Sequence, residues 1–323
     1  MQISVGTFNL NNLFSRYNFQ GEIKAIKDNA TTVDSKISYE FTHDDVYRFR
    51  TFMGKLVKAK NAEDTEVIAN RIIDMDIDVL AVQEVENIDI LKEFNDNYLL
   101  GLYKYVVLIE GNDPRLIDLG LLSKYPVGKI TSWQQAVHPS NPNKKIFGRD
   151  LLQVDILSAS RSKKLFTIFN NHLKSQFVPF GKNKAEGTIS NNKRRKNQSE
   201  VVRNIVLSQM RPSSKFIILG DMNDSPDSPQ LKQLVKDSEL NLFNALKNPN
   251  ETRPAKKDNP GPATKAWTHR FKEPGKPAKY ELFDQIWLSN PLKNNFVESW
   301  IDRRTKHKGD GSDHDPSWIV LDL

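Results

Sequence analysis

The chain has 323 residues, 38% hydrophobic and 27% charged, enough to bury a sizeable core as one large α/β domain or two ordinary ones. It contains no cysteine, which excludes disulfides, thiolate zinc sites and cysteine nucleophiles and leaves Asp, Glu, Asn and His to hold any metal. Lys and Arg total 47 against 40 Asp and Glu, and the resulting +7 disfavours acidic partners and suits either a polyanion such as nucleic acid or ordinary solubility.

No linker rich in Gly, Ser or Pro interrupts the middle and no repeat recurs at solenoid spacing, so residues 1–323 are expected to form a single domain. The opening MQISVGTFNL runs directly into strand alternation, with no charged leader and apolar core before it, and no apolar run is long enough to span a membrane. A cytoplasmic protein without membrane insertion is expected, with secretion after loss of a leader left open.

In chain order, a first strand is expected over residues 3–10, closing on the amide-rich Thr7-Phe8-Asn9-Leu10-Asn11-Asn12. Residues 18–45 are polar and weakly periodic and read as an insertion or surface loop. Helices are expected over 46–59 and 64–75; in the second, Ile68 and Ile72 form a stripe with Ala69 and Ile73 beside it, and Asp64 can cap. A buried strand over 78–84 ends on Glu84, and further strands are expected over 119–123, 151–157 and 165–171, the last running into His172. Residues 177–192 read as a flexible loop and 193–210 as a helix with Val201, Ile205 and Val206 inward. After a strand from residue 216 come a helix through Leu231, Leu234 and Val235, a polar loop over 248–279, a strand over 281–289, and a last strand over 318–321.

The most informative stretch is FIILGDMNDS, residues 216–225. Four apolar residues mark a strand buried on both faces, and its carboxyl end opens on Gly220, Asp221, Asn223 and Asp224, where open α/β folds place ligand sites. Asp221 offers a carboxylate for a proton, a water or a hard cation, and Asn223 a neutral amide for a phosphoryl oxygen. The plainer reading is an Asx turn, with Ser225 or Ser228 capping a helix begun by Pro226 or Pro229. What shifts the balance is number. Six strand ends each deliver polar groups, namely Asn9, Glu84, His172, Asp221 with Asn223, Asp284, and Asp313 with His314, and without thiols such a set points to a hard-metal hydrolytic site. Strands mixed with helices in this order suggest two packed sheets flanked by helices.

The segments TFNLNNLF, VLAVQEVEN, RLIDLGLLSKYPV, FNNHLKS, ILGDMND, FDQIW and GSDHDP resemble, in order, those of the endonuclease/exonuclease/phosphatase superfamily, and look closest to its deoxyribonuclease I-like bacterial nucleases. The resemblance implies a four-layer α/β sandwich of two packed mixed β-sheets flanked by helices, and a Mg²⁺-dependent phosphodiesterase, with Mn²⁺ able to substitute. The implied activity is a nuclease cutting DNA or RNA by in-line attack of water, with nucleic acid as its partner and no protein partner. A phosphatase or phosphodiesterase acting on a small molecule or lipid head group is the alternative enzyme, and a nucleic-acid-binding protein with a dead site the alternative class.

Carried over by residue, the resemblance implies Glu84 as metal ligand with Asn9 and Asp313 beside it. Asp221 would deprotonate or orient the water and Asn223 would hold it or an oxygen. His314, oriented by Asp284, and His172 would act as protonated donors to the phosphate, with Asp118 the candidate partner of His172. Arg149 would be a phosphate fork, or else a surface arginine, with Lys174 in a similar role. Lys193-Arg194-Arg195-Lys196 reads either as phosphate contacts or as a solvated helix face, with Arg203 further along it, and Trp267 either as a stacking platform or as half-buried core.

Overall fold

The computed structural model describes residues 1–14, 60–179, 181–236, 239–252, 266–271, 275–304 and 310–323. The expected insertion at 18–45 and helix at 46–59 lie outside these residues, as does much of the polar loop.

Two sheets carry the fold. The seven-stranded sheet runs Asn250–Glu251, Phe296–Ile301, Ser317–Asp322, Gln2–Leu13, Val79–Val85, Asp118–Ser123, Tyr105–Ile109, and the six-stranded sheet Phe243–Asn244, Asp284–Leu288, Phe216–Asp221, Lys164–His172, Leu151–Leu157, Val127–Ser132. Each is antiparallel except for a parallel pair near its middle, Gln2–Leu13 with Val79–Val85 in one and Lys164–His172 with Phe216–Asp221 in the other. A short Asn250–Glu251 strand adds a further parallel pairing at the edge. Strands buried on both faces must be apolar throughout, and VLAV and FIIL meet that demand.

The inner faces of both sheets share one core, in which Val5, Val79 and Leu121 meet Val154, Ile168 and Leu219. Ala62–Met75 and Ile88–Asn97 cover the outside of the seven-stranded sheet through Ile68, Ile72, Leu91 and Phe94. Lys184–Gln209 covers the other sheet through Val201, Val202 and Val206. The four-layer sandwich expected from the motifs is the observed architecture, and among the described residues no helix is long and apolar enough to cross a membrane.

Several local expectations need correction. The first described helix is capped by Asn61, whose side chain accepts from Asp64 N at 2.6 Å, because an Asn just outside the helix can reach back to the free N–H groups while Asp64 lies within it. Ile73 falls on the exposed face. The helix expected from residue 193 begins at Lys184, so part of the expected flexible loop is helical, with Asn183 accepting from Ala185 N and Glu186 N. Capping and tertiary packing outweighed its weak apolar period. Ser225 and Ser228 form a turn ahead of the four-residue helix Lys232–Val235 instead of capping it. Ile88–Asn97 was missed, although Asn87 caps it and Leu91 and Phe94 mark its inner face.

Candidate active site

The six-stranded sheet sets its functional side chains by register. Asp221, the last residue of its strand, pairs with His172 on one side and with Asp284 on the other. Asp284 begins its strand, and Asp313-His314 precede the last one, as expected. Antiparallel neighbours bring them to the same edge. Gly220 has φ of 123°, and a Cβ there would lie 2.1 Å from the carbonyl oxygen of Asn171, so the strands approach as closely as they do only with glycine at that position.

Around Asp221 the contacts converge. Oδ1 accepts from Asn223 N at 2.8 Å, and Oδ2 accepts from Asn9 Nδ2 at 3.1 Å with His172 Nε2 at 3.3 Å and His314 Nε2 at 3.9 Å. Burial pushes the Asp221 carboxyl up to about 7, with Asp284 and Glu84 adding to the rise and His314 opposing it. Asp284 Oδ2 lies 2.7 Å from His314 Nδ1 and accepts its hydrogen. Burial lowers the affinity of His314 for a proton, but the charges of Asp284 and Asp221 outweigh it and hold this imidazolium well above the ordinary histidine value. Thr268 Oγ1 receives the backbone N–H groups of Phe283 and Asp284, at 3.2 and 3.0 Å, and so fixes the dyad from behind.

His172 differs. Burial, followed by the charges of Arg149 and His314, pushes it well below the ordinary value, so it is neutral near pH 7 and the expected protonated donor is not formed there. The expected pairing with Asp118 is absent too. Asp118 Oδ1 accepts from Gly111 N at 2.8 Å, while Asp118 Oδ2 and His172 Nδ1 are each buried without a hydrogen-bond partner among the described residues. His172 instead turns Nε2 toward Asp221, and toward Glu84 Oε1 at 3.8 Å.

Glu84 and Asn9 come from the seven-stranded sheet, where regular pairing breaks. Register slips between Gln83 and Val85 and between Asn9 and Leu13, and Asn11, Asn12 and Glu84 take φ of 48°, 60° and 62°. Such left-handed backbone is uncommon outside glycine and clusters at functional sites. Glu84 Oε2 accepts from Asn12 N at 3.2 Å. Burial raises the Glu84 carboxyl and the charge of Asp313 raises it further, so two like charges face the same space. The donors there, Glu84, Asn9 and Asp313, are all oxygen, the set a hard divalent cation prefers. Two further groups of Asp and His side chains bring ligand atoms within 4.8 Å of one another, Asp221–Asp284–His314 and His269–Asp313–His314.

The cationic side of the cleft holds Arg149 and Lys174. Arg149 is buried, not a surface strand residue, with Nε 3.3 Å from Asp113 Oδ2 and an Nη hydrogen donated to Leu173 O at 3.4 Å. Arg115, not anticipated, donates to the same Asp113 carboxylate and remains 59% exposed. Burial and the charges of Arg149 and Arg115 lower Lys174 to about 8. For two other features the structure decides between the alternatives: Lys193 and Lys196 are exposed on a solvated helix face, and Trp267 belongs to the core. Arg195, of the basic helix run, is buried and donates to Asp224 Oδ2 at 2.7 Å and to Lys174 O, so it braces the site from beneath and does not touch solvent phosphate. Trp267 is buried under the Arg303 guanidinium, 3.9 Å from its ring centre, and offers no platform.

Sequence reasoning also missed what joins the sheets. Asn170 Nδ2 donates to Val82 O and Gly120 O of the opposite sheet, at 3.2 and 2.9 Å, while Asn170 Oδ1 accepts from Gln83 Nε2 at 2.8 Å. The doubled Asn170-Asn171 and the Gln83-Glu84 pair were the available signals.

The sequence model described as Endonuclease/Exonuclease/phosphatase family matches residues 4–299. The chain belongs to the endonuclease/exonuclease/phosphatase family. Members of this family are phosphoester hydrolases and typically use a divalent metal. An AP endonuclease from Archaeoglobus fulgidus aligns with a TM-score of 0.54 and 15% identity over 99% of this chain and 100% of its own. Truncated TDP2 from Caenorhabditis elegans gives 0.56 and 15% over 100% and 98%, and a mannosyl-6-phosphatase from Bacteroides thetaiotaomicron 0.56 and 14% over 99% and 99%. At these identities the likeness is one of fold. No curated protein matches the chain.

Proposed function

We propose that this chain is a Mg²⁺-dependent phosphodiesterase, a nuclease that hydrolyses DNA or RNA by in-line attack of water. The observation that carries the reading is the pairing at Asp221. A buried carboxylate whose pKa is lifted to about 7 sits 3.9 Å from an imidazolium held charged by Asp284, so a base and a donor face one small volume. In this reading Asp221 takes the proton of the attacking water, and Asn223 holds that water or a phosphoryl oxygen. His314 donates from Nε2 to the charge that develops on phosphorus-bound oxygen, a contribution of about 3–4 kcal/mol for a well-placed donor. His172, neutral, orients Asp221.

Glu84, Asn9 and Asp313 would hold the metal ion, which when bound neutralises phosphoryl charge as a Lewis acid. Arg149 and Lys174, with Arg115 at the rim, draw the phosphate in, and the +7 net charge favours a polyanionic substrate over a neutral one.

The test is cleavage of supercoiled plasmid, linear duplex, single-stranded DNA and RNA with Mg²⁺, with Mn²⁺ and with EDTA, using Asp221→Asn as control. Metal-dependent nicking lost in the variant is expected. Failure on every polymer with metal-dependent turnover of a bis-nitrophenyl phosphate or a phosphate monoester would replace the nuclease reading with a small-molecule or head-group phosphoesterase.

A further inference from the structure

The proposed reaction leaves His269 without a task, yet its ring is held beside the site more firmly than a spectator needs. An isolated β-bridge pairs His269 with His314, and Asp315 N donates to Thr268 O at 2.8 Å, so the two histidines leave neighbouring backbones on the same side. Phe283 stacks on the His269 ring at 4.8 Å and 14°, which fixes its plane. The His269 and His314 ring centres are 5.0 Å apart, and His269 Nε2 lies 3.9 Å from Asp313 Oδ2. Asp313 is 58% exposed, so the third side chain can swing and the site opens to solvent.

From this geometry we infer that His269, Asp313 and His314 form a second cation site, selective for a borderline transition ion of the Zn²⁺ class, whose occupancy switches the enzyme off. Two imidazoles and one carboxylate with an open fourth position suit Zn²⁺, whereas Mg²⁺ demands oxygen ligands. His314 already donates Nδ1–H to Asp284, the arrangement that turns Nε2 outward as a ligand and makes it more basic. One ligand atom from each of the three residues lies within 4.8 Å of the others, so the imidazoles and the exposed Asp313 carboxylate must draw inward to close on an ion. The inhibitory consequence rests on the proposed role of His314. An ion bound at Nε2 displaces the Nε2 proton to solvent and with it the donor that faces the phosphate, and it draws Asp313 away from the Mg²⁺ ligands at the same time.

Two measurements test this on the full chain. Co²⁺ titration of the parent should give the visible d–d band of tetrahedral coordination, displaced by Zn²⁺ and not by Mg²⁺. The band should be lost in His269→Gln and in His269→Phe, the latter keeping the stack on Phe283 without a ligating nitrogen. With bis-nitrophenyl phosphate and saturating Mg²⁺, Zn²⁺ should inhibit the parent, while both variants keep the parental rate in Mg²⁺ alone and need about 10-fold more Zn²⁺ or beyond for the same inhibition. A parent without a tetrahedral band, or variants with unchanged band and unchanged Zn²⁺ sensitivity, overturns the site. If the parent hydrolyses no phosphoester, the Co²⁺ titration still decides the site, and it is the proposed function that falls.

Discussion

The two sheets deliver their functional residues by opposite means. In the six-stranded sheet, Asp221 lies in an unbroken register between His172 and Asp284, with positive φ only at its flanks, 123° at Gly220 and 52° at Asn223. In the seven-stranded sheet, Asn9 and Glu84 sit where register slips, and three residues there adopt left-handed backbone. Regular pairing holds side chains in fixed positions, which the proposed proton transfer from a water to Asp221 would need. A bulge turns an oxygen ligand out of the pleat toward a cation, at a cost in local strain.

The largest expected effect is on the side of unbroken register. Asp221→Asn keeps the strand register and the hydrogen bond from Asn223 N but removes the base, and turnover should fall by about 10²–10⁴-fold with little change in the melting curve. Turnover within a few-fold of the parent would remove Asp221 from the proposed reaction.

Next comes the link between the two sides. Asn170→Ala leaves Val82 O, Gly120 O and Gln83 Nε2 without this partner in a dry core, at about 1–3 kcal/mol for a group left unsatisfied. Urea denaturation should show that loss, and an unchanged midpoint would mean that the sheets are held by apolar packing alone.

On the bulged side the sign reverses. Glu84→Gly relieves a left-handed backbone that costs a non-glycine residue about 1–2 kcal/mol, so the metal-free chain should melt at the same temperature or higher, while Mg²⁺-supported turnover is lost. A clear drop in melting temperature would show that Glu84 is there for structure.

The smallest effect is a pH difference at Asp118, which pairs with Val85 next to the bulge. Burial raises its carboxyl from the ordinary 3.8 to about 7, so the folded chain holds this proton more tightly than the unfolded one. The stability it contributes is therefore complete below about pH 4 and lost as pH rises through about 7. Asp118→Asn keeps the acceptor for Gly111 N and never ionises. Its stability should fall less than the parent's over that window, and parallel curves for the two proteins would contradict the shift.

Sequence and structure divided the work along the same line. Two-face burial in VLAV and FIIL, and the polar residues that end those strands, determine strands, layers and the candidate residues, because apolar periodicity and strand-end chemistry are local properties of the chain. Family membership was legible in the same motifs. Only the tertiary structure decided which polar groups face one another. His172 turns to Asp221 instead of Asp118, Arg195 goes inside with Asp224, Trp267 lies under Arg303, and Asn170 crosses between the sheets. Each of these depends on a partner far along the chain, and on burial that sets charge, neither of which a linear pattern carries.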